Sequence, residues 1–65
     1  MKHYQTIQII SASEFEVIIF IDKITHIYTT ASGQTMIRLI NEQGVLTNLS
    51  LHEIMVLISE TNGNS

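Results

Sequence analysis

The side chains in this sequence that can do chemistry are few and scattered. Three histidines, His3, His26 and His52, are natural metal ligands or proton carriers, but none stands at ligand spacing from another or from a useful carboxylate. Asp22 and His26 approach each other if the chain bends between them, and a serine nearby would complete a hydrolytic trio. No nucleophile elbow fixes such a serine, and Ser50 has a structural use described below. Glu14 and Glu16 share a strand face, where they read as solvated charges flanking apolar residues and not as an acid–base pair. The glycines are single turn glycines and form no phosphate-cradling loop. Cysteine is absent, which removes disulfides, redox chemistry and thiolate–zinc sites. The expectation from these residues is no enzymatic activity, no metal and no cofactor.

The elements that must position these residues belong to one small domain. Sixty-five residues bury only about 60% of the unfolded surface, so such a chain needs help to be stable. With disulfides and metals set aside, oligomerisation is the remaining help. Hydrophobic residues make up 45% of the chain and charged residues 14%, against about 25% charged in a typical globular domain. So little charge over so much apolar side chain points to an outer surface covered by a second copy. The longest apolar run, Val17 to Ile21, is far short of the ~20 residues of a membrane-spanning helix. Lys2 and His3 lead into Tyr4-Gln5-Thr6, which is no signal-peptide core, so a cytoplasmic protein without membrane insertion is expected. Up to Ile40 the charges Lys2, Lys23 and Arg38 balance Glu14, Glu16 and Asp22; beyond it stand only Glu42, Glu53 and Glu60. Three scattered cations argue against phosphate-backbone binding, and nucleic acid is not the expected partner.

The pattern predicts four or five short antiparallel strands and one C-terminal helix packed on the sheet, an α+β meander over residues 1–60 with a disordered polar tail at 61–65. The first strand lies within Met1 to Ser11, where Ile7 and Ile9 alternate around Gln8. In the second, Phe15, Val17, Ile19 and Ile21 point one way and Glu16, Ile18, Phe20 and Asp22 the other. Both faces are apolar in the middle, so this strand is either central in a sheet covered on both faces or meets another subunit. A third strand covers Ile24 to Thr30, where Ile24 and Ile27 are out of phase; a bulge or bend around Lys23 to Thr25 brings both inward. A turn at Ala31-Ser32-Gly33-Gln34 uses Gly33 at positive φ. Thr35 to Ile40 then sets Ile37 and Leu39 opposite Met36, Arg38 and Ile40. The loop Asn41-Glu42-Gln43-Gly44, with Gly44 as its left-handed residue, returns the chain along Val45 to Asn48.

The helix, Ser50 to Ser59, carries the strongest local signal. Ser50 and Glu53 form a capping box, with Leu49 and Ile54 as its hydrophobic staple. Leu51, Ile54, Met55 and Ile58 fall on one face, Val56 lies on the outer side and Leu57 on the flank. About ten helical residues do not hold alone in water, so this helix must lie on the strands. Tyr28 and Arg38 are the types most enriched at interface hot spots, though Tyr28 reads equally well as a core-edge aromatic and Arg38 as an exposed strand charge. Met36 and Met55 read first as core fillers. The candidate interface is Ile18, Phe20, Tyr28, Met36, Arg38, Ile40 and Val56.

With these elements placed, two family resemblances emerge. Val17, then Ile24 and Ile27, then Thr35-Met36-Ile37-Arg38-Leu39, Gly44, Val45-Leu46 and Ser50-Leu51-His52-Glu53-Ile54 follow the order seen in small FlbD/SwrD-type flagellar proteins, which this chain resembles over most of its length. That resemblance implies a non-enzymatic accessory or regulatory factor and identifies no binding residues. Ile24, Ile27 and Ser50-Leu51-His52-Glu53 also resemble the first half of LytTR-type DNA-binding domains, which continue past the helix with further strands and basic residues. This chain is acidic there, so a LytTR-like DNA-binding regulator ranks second. The leading expectation is a small homo-oligomeric module that binds a protein partner; a third is a small-ligand binder whose pocket forms between subunits.

Overall fold

A computed structural model describes residues 5–63, with side chains through Thr61. The expectations placed on Lys2, His3, Tyr4, Asn64 and Ser65 lie outside the described residues. The chain forms β1 (Thr6–Ile10), β2 (Glu16–Phe20), a 3-10 turn at Ile21–Lys23, β3 (Ile24–Thr29), β4 (Thr35–Leu39), β5 (Gly44–Thr47) and α1 (Leu51–Gly63). The architecture is α+β: five antiparallel strands in two sheets, β1-β2 and β3-β4-β5, with the helix packed on β1 and β3. The meander divides at the 3-10 turn, which redirects the chain between β2 and β3. Ile24 and Ile27 both pack against the core because the β3–β4 register shifts between Ile24 and His26, at the bulge expected there. β2, by contrast, is paired only with β1 and is an edge strand, not a central one.

All three hairpin loops have the same form. Ser11, Thr30 and Leu39 each donate their N–H to the carbonyl of the residue four ahead, Phe15, Gln34 and Gln43, while Glu14, Gly33 and Glu42 donate back to the first residue's carbonyl. This three-residue loop ends in a left-handed residue. Glu14 (φ 69°), Gly33 (φ 88°) and Glu42 (φ 67°) occupy that position. The left-handed residue of the last loop is therefore Glu42 and not Gly44. Gly44 lies in β5, where a Cβ would meet Met36 Sδ at 2.7 Å and Arg38 Nη1 at 3.0 Å. Its missing side chain makes room for two long side chains crossing from β4. Phe15 closes the first loop opposite Ser11 and is exposed, not part of the inward face of β2.

The core is Ile7 and Ile9 of β1, Ile19 of β2, Ile37 of β4 and Ile54 of α1. Two wholly buried threonines, cross-strand partners Thr35 and Thr47, tie its layers together. Thr47 Oγ1 donates to the Ile10 carbonyl at 2.8 Å, beside the single bridge Ser11–Thr47 and the Ala12 N–H bond to the Leu46 carbonyl at 2.7 Å. Together these join the two sheets. Leu49 is held by both threonines: its carbonyl accepts from Thr35 Oγ1 at 2.7 Å and its N–H donates to Thr47 Oγ1 at 3.3 Å. The chain is thus fixed one residue before the helix cap.

The capping box forms as read. The Ser50 N–H donates to Glu53 Oε1 at 2.9 Å and the Glu53 N–H donates to Ser50 Oγ at 3.1 Å. The helix beyond it differs in length and rotation from the expectation. It continues past Ser59 through Thr61, Asn62 and Gly63, where a polar tail was expected. Its inward stripe is Ile54, Leu57, Ile58 and Thr61, while Leu51 and Met55 face outward. Both stripes have helical spacing, so periodicity alone does not choose between them. The clamp on Leu49 and the extra turn ending at Thr61 favour the observed one.

Candidate functional site

β2 presents its surroundings with two different features. Ile7–Ile19 and Ile9–Val17 fall in step with the hydrogen-bonded pairs at Gln5–Ile21 and Ser11–Phe15, so the odd-numbered residues of β2 direct their backbone groups at β1. The N–H and C=O groups of Glu16 and Ile18 therefore point away from β1, along the outer edge. The side chains of Ile18 and Phe20 stand on the solvent face of the β1–β2 ribbon, 60% and 44% exposed. Val17 and Ile19, on the other face, pack against or within the core.

Across from this edge lies the β4–β5 hairpin. Between the two runs an open apolar groove of about 470 Å³, walled by Val17, Ile18 and Phe20 on one side and Leu39, Ile40 and Val45 on the other, with Lys23 among its lining residues. Ile40, just past β4, is 59% exposed on this rim. Three of the expected interface residues, Ile18, Phe20 and Ile40, are thus brought to one groove.

The other four lie elsewhere. Tyr28 pairs with Met36 and His26 with Arg38 across β3 and β4, and the Tyr28 and His26 rings stack at 5.8 Å. Arg38 donates through Nη2 to the Glu42 carbonyl at 3.1 Å, which fastens its guanidinium to the loop holding a left-handed glutamate. Met36 reaches over Gly44 beside it. Val56 is on the outer side of α1, in a shallower hollow of about 320 Å³ with His52 and Glu53. Sequence reasoning passed over Thr35, Thr47 and the outward backbone groups of β2. The threonines had a signal, since Thr35 has the same strand parity as inward-facing Ile37. The edge had none, because it depends on which strands pair.

Among the described residues the ionisation shift falls on Glu53. Its carboxyl is held below the ordinary value of 4.5, first by the Ser50 N–H and then by the Ser50 hydroxyl. The cause is helix capping, and the charge is spent on structure. Asp22 and His26 flank the bulge without a bond between them being formed; His26 Nδ1 lies 3.2 Å from Thr25 Oγ1, which donates to the Arg38 carbonyl. Among the described residues no group of three or more His, Asp or Glu side chains is placed to hold a metal ion, and no helix is long and apolar enough to cross a membrane.

The arrangement defines a class: a small α+β domain with an apolar groove along the outer edge of β2. In comparisons with protein families, with characterised proteins and with solved structures, nothing matches this chain. The two family resemblances therefore stand on their residues alone.

Proposed function

We propose that this chain is a small non-catalytic module that self-associates through the β2 groove and serves as a protein-binding or regulatory part. One observation carries the reading. Ile18, Phe20 and Ile40, all substantially exposed, converge on a single apolar groove in a chain with only 14% charged residues. Exposed apolar residues scattered singly need no partner, whereas a cluster lining one groove is the usual mark of an interaction surface. A second copy is the partner the chain always has at hand, and two-fold association is the commonest way a small protein covers such a surface.

The test is molar mass by light scattering across a wide concentration range, on the native chain and on Ile18→Glu. Ile18 is 60% exposed, so the variant keeps the fold while placing charge in the groove. The native chain is expected to oligomerise and Ile18→Glu to remain monomeric with an unchanged circular dichroism spectrum. A native chain that stays monomeric at every concentration refutes the reading.

The volume of the groove, about 470 Å³, also falls in the range of small-ligand sites and favours a second reading, an apolar ligand held there. Native mass spectrometry of freshly purified protein separates the two: a retained small molecule supports the ligand, and a bare oligomer supports self-association.

A further inference from the structure

We infer that two copies join by pairing β2 with β2 in antiparallel fashion, so that the β1–β2 ribbons of both copies become one four-stranded sheet. This rests on the self-association proposed above and specifies its geometry. Glu16 and Ile18 direct their N–H and C=O groups away from β1, and a two-fold axis beside Val17 sets Glu16 of one copy opposite Ile18 of the other. Each of these residues then exchanges hydrogen bonds with its counterpart in the manner of an ordinary antiparallel ladder.

Two features select a second copy in this orientation. The first is charge. Glu14 and Glu16 stand at one end of the edge, while Asp22 and Lys23 offset each other at the other. Antiparallel pairing sets the acidic end of each copy beside the neutral end of its mate, whereas parallel pairing sets the two acidic ends side by side. The second is the state of the edge. Strand edges are commonly protected from pairing by bulges, by proline or by inward charge. β3, the other outer strand, has a bulge at Thr25 and packs against α1. β2 has an unbroken five-residue register, no proline and no cation within it. Its one charged residue, Glu16, sits at its end and is engaged by Gln8 Nε2 at 3.3 Å.

Amide hydrogen exchange resolved by residue, on the native chain in dilute and in concentrated solution with mass measured in parallel, tests the geometry. In the oligomer the Glu16 and Ile18 amides are expected to exchange on the order of 100-fold more slowly than in dilute solution. The Ile27 and Thr29 amides, on the outer edge of β3, serve as the control and should not change. If the mass rises but the Glu16 and Ile18 amides keep their dilute rates, strand pairing is overturned while self-association through side chains stands. If Ile27 and Thr29 slow instead, the pairing runs through β3 and this geometry is again overturned. A mass that never rises overturns both this inference and the reading it rests on.

Discussion

Thr47 offers the sharpest test of how the domain is held together. Its side chain is wholly buried, and its hydroxyl both donates to the Ile10 carbonyl at 2.8 Å and accepts from the Leu49 N–H at 3.3 Å. Thr47→Val preserves the shape of the side chain and removes both bonds. The β1 carbonyl and the N–H before the helix then lose their partner. A buried polar group left without one costs about 1–3 kcal/mol, and the longer bond to Leu49 belongs at the low end of that range. A methyl group in place of the hydroxyl recovers part of the loss, since it is cheaper to bury. The net expectation is a loss of about 2–3 kcal/mol.

That is a large share of the roughly 3–10 kcal/mol available to a domain of this length, and corresponds to a fall in Tm of roughly 10–20 °C. Thr47→Ser separates hydroxyl from volume: it keeps both bonds and gives up one buried methyl, for about 1 kcal/mol. Urea unfolding followed by circular dichroism measures all three proteins, at one fixed protein concentration because association adds stability by mass action. The expected order of stability is native, then Ser, then Val. Thr47→Val equal to or more stable than Thr47→Ser would refute the claim that this hydroxyl joins the two sheets and the helix.

Ser50→Ala removes the helix cap and should lower the urea midpoint by the equivalent of about 1 kcal/mol. Because the folded Glu53 carboxyl lies below its ordinary 4.5, its contribution is complete above that pH and is lost as pH falls through the folded value; Glu53→Gln should flatten that part of the acid-stability profile, measured as urea midpoint against pH. Glu14→Gly and Glu42→Gly should each raise stability by about 0.5–1 kcal/mol in thermal unfolding, since both glutamates sit at positive φ where glycine has no Cβ conflict. Gly33→Ala should cost about 1 kcal/mol although the space around it is open, whereas Gly44→Ala should cost less, because its φ is unstrained and the new Cβ meets only the side chains of Met36 and Arg38; an inverted order by calorimetry would contradict the loop geometry.

The parts of the fold legible in the sequence were those set by local chemistry. Ser50 and Glu53 announce a helix start whatever surrounds them, and the Ile24–Ile27 phase conflict called for a bulge or a bend, which the register shift between Ile24 and His26 supplies. Gly33 is at the left-handed position of its loop because residue type and position agree there. At the β4–β5 loop they disagree. The left-handed position is fixed by the closing Leu39–Gln43 bond and falls on Glu42, while the nearby glycine answers a packing demand from Met36 and Arg38. The inward face of α1 was ambiguous for a related reason. Leu51, Ile54, Met55 and Ile58 match helical spacing as well as Ile54, Leu57, Ile58 and Thr61 do, and the choice is made by threonine hydroxyls on distant strands. Of the candidate site, the side chains Ile18, Phe20 and Ile40 could be named from alternation; their convergence on one groove depends on how the two sheets meet.

The rotation of α1 leaves a second apolar surface, Leu51, Met55 and Val56, which competes with the β2 groove as a place for another copy to bind. Two physical differences favour the groove. A helix satisfies its own backbone hydrogen bonds, so only side-chain area can recruit a partner there, whereas the outer edge of β2 adds directional backbone groups to the same apolar contact. Charge acts in the same sense. From Asn41 onward the chain carries Glu42, Glu53 and Glu60 and no cation, so two helices brought face to face carry like charge at the contact. The β2 edge has Glu14 and Glu16 at one end and the offsetting pair Asp22 and Lys23 at the other, and an antiparallel two-fold pairing keeps the two acidic ends apart. The helix face is therefore the poorer match for a second copy of this chain, and the β2 edge the better one.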